Sequence, residues 1–105
     1  MLEDSIDDVK VYVGQSDKDN HELVIKSKSI YYWFHLKNFP SPHVVIETSN
    51  PTKQQLYYCA NLVKKHSKQK NVYSIYVEYT QIKNLRPTKQ IGSVILKNTP
   101  KSIKI

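Results

Sequence analysis

Trp33-Phe34-His35-Leu36-Lys37-Asn38-Phe39-Pro40-Ser41-Pro42-His43-Val44-Val45-Ile46 reads as two strands around a turn bounded by prolines. It places aromatic, imidazole and cationic groups where a plain strand needs only alternating apolar and polar ones. With a period of two, Ile30, Tyr32, Phe34 and Leu36 share one face, and Tyr31, Trp33, His35 and Lys37 share the other. The first set is expected to be core. The second combines stacking surfaces, hydrogen-bonding rings and positive charge, which together can hold unstacked bases and phosphates.

Outward from this stretch, the alternation of Val9-Lys10-Val11-Tyr12-Val13 predicts a strand, and Gly14 a turn into the polar run Gln15 to Asn20. Asp19 or Asn20 is expected to cap a short helix through Glu22, Leu23 and Lys26. Asn50-Pro51 is expected to start a longer helix, with Leu56, Cys59, Ala60 and Val63 on its buried stripe and its end near Lys68. Val72 to Thr80 alternates as a half-buried strand, with Tyr73, Ile75, Val77 and Tyr79 on one side and Ser74, Tyr76, Glu78 and Thr80 on the other. Gly92 is expected to start or bulge a strand through Leu96, and Lys101 to Ile105 to form a short last one. These elements give an α+β fold: a single domain with a mostly antiparallel sheet of five or six strands packed with one principal helix. Residues 1–8 are expected to be an acidic arm free of fixed structure, and residues 9–105 the domain.

A chain of 105 residues can build one core. Its net charge of +7 is unevenly spread. Residues 1–22 hold seven acids against Lys10 and Lys18, a net charge of −5, whereas residues 23–105 hold fourteen Lys or Arg against Glu47 and Glu78, a net charge of +12. Such a body attracts polyanions by steering and counterion release, both weakened by salt. It can equally serve as a solubilising surface. No stretch reads as a membrane span, the first 22 residues are too acidic for a targeting signal, and no basic amphipathic helix suggests a membrane face. A cytoplasmic protein is the expectation. Cys59 stands alone, so it offers neither an internal disulfide nor zinc spacing and is expected to be a small core residue.

In order and spacing, several short runs resemble one family. They are Gly14 followed by Asn20-His21-Glu22-Leu23, then Trp33-Phe34-His35, His43-Val44, Cys59-Ala60-Asn61-Leu62-Val63-Lys64, Val77-Glu78-Tyr79-Thr80, Asn84-Leu85 and Gln90-Ile91-Gly92. From about Val9 onward the chain resembles the NFACT-R domain, the RNA-binding module of large ribosome quality-control proteins. It is most similar to the small eukaryotic coiled-coil proteins that carry this module. It departs from the family pattern at Tyr31, where an acid is usual, and at Ser41-Pro42, where Gly-Ser is common. The resemblance implies a binding module for structured RNA, such as tRNA or ribosomal RNA, without the tail-elongating activity of the large proteins.

The residues themselves give no enzyme signature. There is no G-x-S-x-G motif, no activated cysteine context and no phosphate-cradling glycine loop, and His35 and His43 have no carboxylate or thiolate near them in sequence to complete a metal shell. No catalytic residue, metal or cofactor is expected. The expected contacts to nucleic acid are cations on a basic loop, Lys83, Arg86 and Lys89, and on the long helix, Lys64, Lys65 and Lys68, with polar contacts from Asn20, His35 and His43. Trp33 is open to two roles, core anchor or stacking platform, and His35 and His43 to structural hydrogen bonding or ligand contact. Two alternatives to RNA binding follow: the chain could be a protein-interaction adaptor in the same pathway, or it could bind DNA. A third possibility is that the acidic first 22 residues fold onto the basic face and compete with nucleic acid as an internal mimic.

Overall fold

The structure, a computed structural model, describes residues 1–105. Tyr32–Leu36 and Val44–Ile46 pair antiparallel across the proline-bounded turn, with Trp33 opposite Val45 and Phe34 opposite Val44. They form the middle of a six-stranded sheet. In chain order the elements are β1 (Leu2–Ile6), β2 (Val9–Val13), α1 (Asp17–Lys26), β3 (Tyr32–Leu36), β4 (Val44–Ile46), α2 (Lys53–Lys65), β5 (Tyr76–Gln81), β6 (Leu85–Pro87), β7 (Val94–Leu96) and β8 (Lys101–Lys104). The sheet order is β1-β2-β4-β3-β5-β8, every pair antiparallel, and β6 and β7 form a separate hairpin. The α+β fold and antiparallel sheet are those expected from the sequence.

Both faces of the sheet are covered, which explains why adjacent residues of its middle strands are equally buried. On one face, α2 lays Cys59, Ala60 and Val63 against Phe34, Leu36 and Val44. On the other, Leu23 and Val24 of α1 and Leu85 of the hairpin close over Trp33 and Val45. Val44, Val45 and Ile46 are therefore all fully buried, a continuous apolar run rather than an alternation.

Several local expectations are corrected. Residues 1–8 are not a loose arm. Leu2–Ile6 forms an edge strand on β2, with Asp7 and Asp8 in the left-handed conformation at the connecting turn, φ 54° and 63°. The short polar side chains of aspartate tolerate that conformation. Tyr58 Oη of α2 donates to Asp4 Oδ2 at 2.6 Å, and this bond, with the Ser5 N–H, holds the Asp4 carboxyl below its usual range. Part of the acidic segment is thus built into the sheet.

Helix α1 is capped by Ser16, earlier than expected: Ser16 Oγ accepts the Asp19 N–H, and Asp19 in turn accepts the Gln15 N–H. Helix α2 is capped by Thr52 rather than Asn50. Its reciprocal capping box with Gln55 satisfies two orphan N–H groups, and the helix stops at Lys65, before Lys68. The strand expected from Val72 begins only at Tyr76. Ser74 at φ 67° breaks the alternation, so Tyr73 turns outward and is 96% exposed. Ile30 precedes β3 and is exposed rather than core.

Gly14 joins β2 to α1 at a crowded point. Its N–H donates to the His43 carbonyl at 2.9 Å, while the His43 N–H donates to Asn20 Oδ1 at 3.0 Å. A Cβ at Gly14 would run into the Asn20 carboxamide. Gly14→Ala is therefore expected to destabilise the fold by about 1–3 kcal/mol, by forcing Asn20 off the buried His43 N–H. The shift in urea midpoint of the variant measures this, and an unchanged midpoint would show that the carboxamide yields freely.

Candidate nucleic-acid interface

Register brings the polar residues of the second sheet face together. His35 on β3 lies opposite Glu78 on β5, and one step beyond the Phe34–Val44 pair it lies beside His43. The Trp33 and His35 rings are parallel, 5.6 Å apart with planes 2° from each other. His43 stands edge-on to both, at 5.3 Å from each ring. Here the cover made by α1 and the β6–β7 hairpin stops short of the sheet, leaving a cleft of about 420 Å³ floored by Trp33, His35, His43 and Glu78 and walled by the hairpin tip, Gln90–Val94. Gly92, at φ 87°, brings that tip so close to Asp17 at the start of α1 that a Cβ there would lie 3.0 Å from its backbone.

A second cleft, of about 490 Å³, adjoins the first between the start of α1 and the end of α2 and is lined there by His66, Ser67, Lys68 and Gln69. The two share Asp17, Asn20, Pro40 and Ser41, so Asn20 stands at their junction. Asn20 is only 8% exposed. Its Oδ1 is taken by the His43 N–H, which fixes the carboxamide and leaves Nδ2 as a donor with no protein partner. Ser41 Oγ accepts the Leu36 N–H at 3.0 Å and donates to the Pro42 carbonyl, closing the turn that carries His43.

Burial and the adjacent His35 ring push His43 down to about 3, and burial holds His35 below its ordinary value. Both rings are neutral near pH 7. Trp33 Nε1 and His43 Nδ1 are buried without hydrogen-bond partners, an arrangement that costs on the order of 1–3 kcal/mol for each group. No three His, Cys, Asp or Glu side chains converge as a metal site.

Of the ten residues expected to contact nucleic acid, the structure gathers Asn20, Trp33, His35 and His43 at the inner cleft and Lys68 at the outer one. Trp33 is buried at 2% exposure and serves the core as well as the cleft floor. Lys89 is exposed beside Gln90 at the cleft wall. Arg86 is exposed on β6, whose neighbour Leu85 points into the core. Lys83 is exposed at the far end of the sheet, where its N–H meets the Ser29 carbonyl, and Lys64 and Lys65 line neither cleft. The cations therefore form no single cluster: Arg86 and Lys89 lie on the hairpin, Lys68 at the second cleft, and Lys64, Lys65 and Lys83 apart from both clefts.

Sequence reasoning missed Glu78 as a site residue. A signal was available, since Glu78 is one of only two acids after residue 22 and falls on the polar side of its strand. Lys37 was expected on this face, but not the row it makes with Tyr76 and Lys104, exposed and side by side from just past β3 across β5 and β8.

The family model described as the NFACT protein RNA binding domain matches residues 2–98, and so takes in β1 as well as every residue of the inner cleft. The Rqc2 homolog RqcH of Bacillus subtilis (strain 168) is 30% identical over 84 residues, which are 79% of this chain and 15% of that protein. The solved structure of the C-terminal part of the fibronectin/fibrinogen-binding protein of Streptococcus suis superposes with a TM-score of 0.88 at 26% identity, over 93% of this chain and 41% of that one.

The neutral histidines carry a pH signature. In the unfolded chain His43 titrates near 6.5 and in the folded chain near 3, so between these values the unfolded chain holds the extra proton. Stability is then complete above about pH 6.5 and falls as pH drops, by up to about 1.4 kcal/mol per pH unit from this residue, with His35 acting in the same direction. Urea unfolding between pH 7 and pH 4 is expected to show that slope in the native chain and a flatter one in His43→Gln. Equal slopes would mean that His43 is solvated.

Proposed function

The chain belongs to the NFACT protein RNA binding domain family, and from that premise we propose that it is an RNA-binding module acting in ribosome quality control. The observation that carries this reading is the extent of the family match, which contains both clefts and the whole basic hairpin. The kinship with RqcH supports the pathway. Because the chain spans about 15% of the length of that relative, the reading concerns the module and not the activity of the large protein.

The preferred ligand is structured RNA, tRNA or ribosomal RNA, met in the cytoplasm. Lys83, Arg86, Lys89 and Lys68 supply separate phosphate contacts, and Asn20, His35 and His43 supply polar and stacking contacts at the cleft. Spaced cations that contact only phosphates fix position with little sequence preference. The chemistry is binding without bond making or breaking: the imidazoles are neutral, and Cys59, the sole thiol, is fully buried and pushed up to about 12 by desolvation. No cofactor enters the scheme. No helix is long and apolar enough to cross a membrane.

A second reading, a protein adaptor in the same pathway, draws on the two open sheet edges, β1 and β8. The test is a salt titration of binding to tRNA, single-stranded RNA and duplex DNA by fluorescence anisotropy. RNA is expected to bind more tightly than DNA. Replacing Lys83, Arg86 and Lys89 by Ala is expected to weaken RNA binding and to flatten the slope of log affinity against log salt by roughly 0.7–0.9 for each phosphate that is no longer neutralised. An unchanged slope would remove the hairpin from the interface. Equal, weak binding to every polyanion, with a protein pulldown that survives nuclease and high salt, would favour the adaptor.

A further inference from the structure

The inner cleft differs from its surroundings in charge. In a chain with sixteen Lys and Arg, its lining includes none of them, and its two formally charged residues are the carboxylates Asp17 and Glu78. A phosphate is disfavoured inside such a cleft, whereas a neutral planar group is not. The cations stand outside it, Lys89 at the wall and Lys37 and Lys104 on the open sheet beyond.

Three features say what kind of planar group fits. The Trp33 and His35 rings lie parallel, His43 stands edge-on to them, and His35 is half-buried and lines the cleft, so its ring presents an aromatic surface there. Glu78, opposite His35 in register and half-buried, has neither an ion-pair nor a hydrogen-bond partner for its carboxylate. An ionised carboxylate accepts hydrogen bonds only, so its two oxygens are free to meet donors of a bound group. Asn20, a residue only 8% exposed and held in orientation by the His43 N–H, has an Nδ2 donor with no protein acceptor where the two clefts join. The site therefore offers a stacking face, a two-oxygen acceptor and a fixed donor.

We propose that this cleft holds an unpaired guanine base of the bound RNA, stacked on His35 with its Watson–Crick edge on Glu78. Guanine presents two adjacent donors on that edge, the ring N1–H and the exocyclic amino group, and these match the two oxygens of one carboxylate. Adenine and cytosine place a ring acceptor beside their single amino group, and uracil flanks its one N–H with two carbonyls, so each sets an oxygen or nitrogen lone pair against Glu78. Base pairing would hide the same edge, so the guanine must be unpaired, as in a loop, a bulge or an end. Asn20 Nδ2 serves an acceptor of the base, and the phosphates on either side lie at the cationic rim. This inference rests on the RNA-binding reading and adds the base to it.

The test uses the 105-residue chain with labelled octauridylate and the same octamer carrying one central guanosine, adenosine or cytidine, followed by anisotropy and by emission of Trp33, the sole tryptophan. The guanosine octamer is expected to bind about tenfold more tightly than the other three and to change Trp33 emission. Glu78→Gln is expected to erase that preference, bringing the guanosine octamer down to the affinity of octauridylate. His35→Ala is expected to weaken all single strands while sparing duplex RNA, and thermal unfolding of each variant verifies its fold. Should Glu78→Gln fail to fold, Glu78→Ala reads the same preference. If octamers bind without base preference, or if the preference survives loss of Glu78, the base pocket is overturned and RNA binding stands. If no RNA binds at low salt, the RNA-binding reading itself falls.

Discussion

Every feature of the site follows from covering both faces of one antiparallel sheet. Helix α2 takes the face bearing Phe34, Leu36 and Val44, while α1 and the β6–β7 hairpin take the face bearing Trp33 and Val45. In a sheet with one wet face, His35, His43 and Glu78 would be ordinary solvated residues. Here the second layer desolvates the two imidazoles, holds them neutral, and ends just short of Glu78. The cleft is the unfilled edge of that layer.

The interlock of Gly14, Asn20 and His43 fixes where this edge lies. The backbone N–H that follows β2, an α1 side chain and the residue before β4 are joined by two short hydrogen bonds, so helix and turn cannot shift independently. An antiparallel hairpin alone would leave the His43 turn free to breathe. Tying it to the first turn of α1 gives the cleft a rigid back wall, and rigid walls reduce the ordering cost of binding.

Much of this was legible in the sequence, because hydrophobic period and turn residues are local. The strand pair around Pro40 and Pro42, the buried stripe of α2 and the antiparallel sheet could all be read from spacing. The exchange of Asn50 for Thr52 as cap, and of Asp19 for Ser16, lies within what local reading cannot resolve, since each pair offers two competent oxygens within three residues. The strand at Leu2–Ile6 was obscured by its acids, which an edge strand tolerates on its solvent side. Coverage of the second face was harder to see. Leu23, Val24, Ile82 and Leu85 are few and scattered among polar residues, and only the tertiary fold assembles them over Trp33. Asn20, His35 and His43 were identified by residue type, and their convergence depends on a 23-residue separation that no local pattern encodes. The cations Lys83, Arg86 and Lys89 are exposed, as a basic loop implies, though a sequence gives no distance between them.

Cys59 faces the layer between α2 and the sheet at 0% exposure, and burial pushes its thiol up to about 12. A thiol so placed meets an alkylating reagent only when the helix lifts from the sheet, because neither thiolate nor access exists in the closed state. The rate at which a native sample acquires the label is therefore a clock for opening of the main core. Since the chain has one cysteine, that clock is read without engineering and without a competing signal.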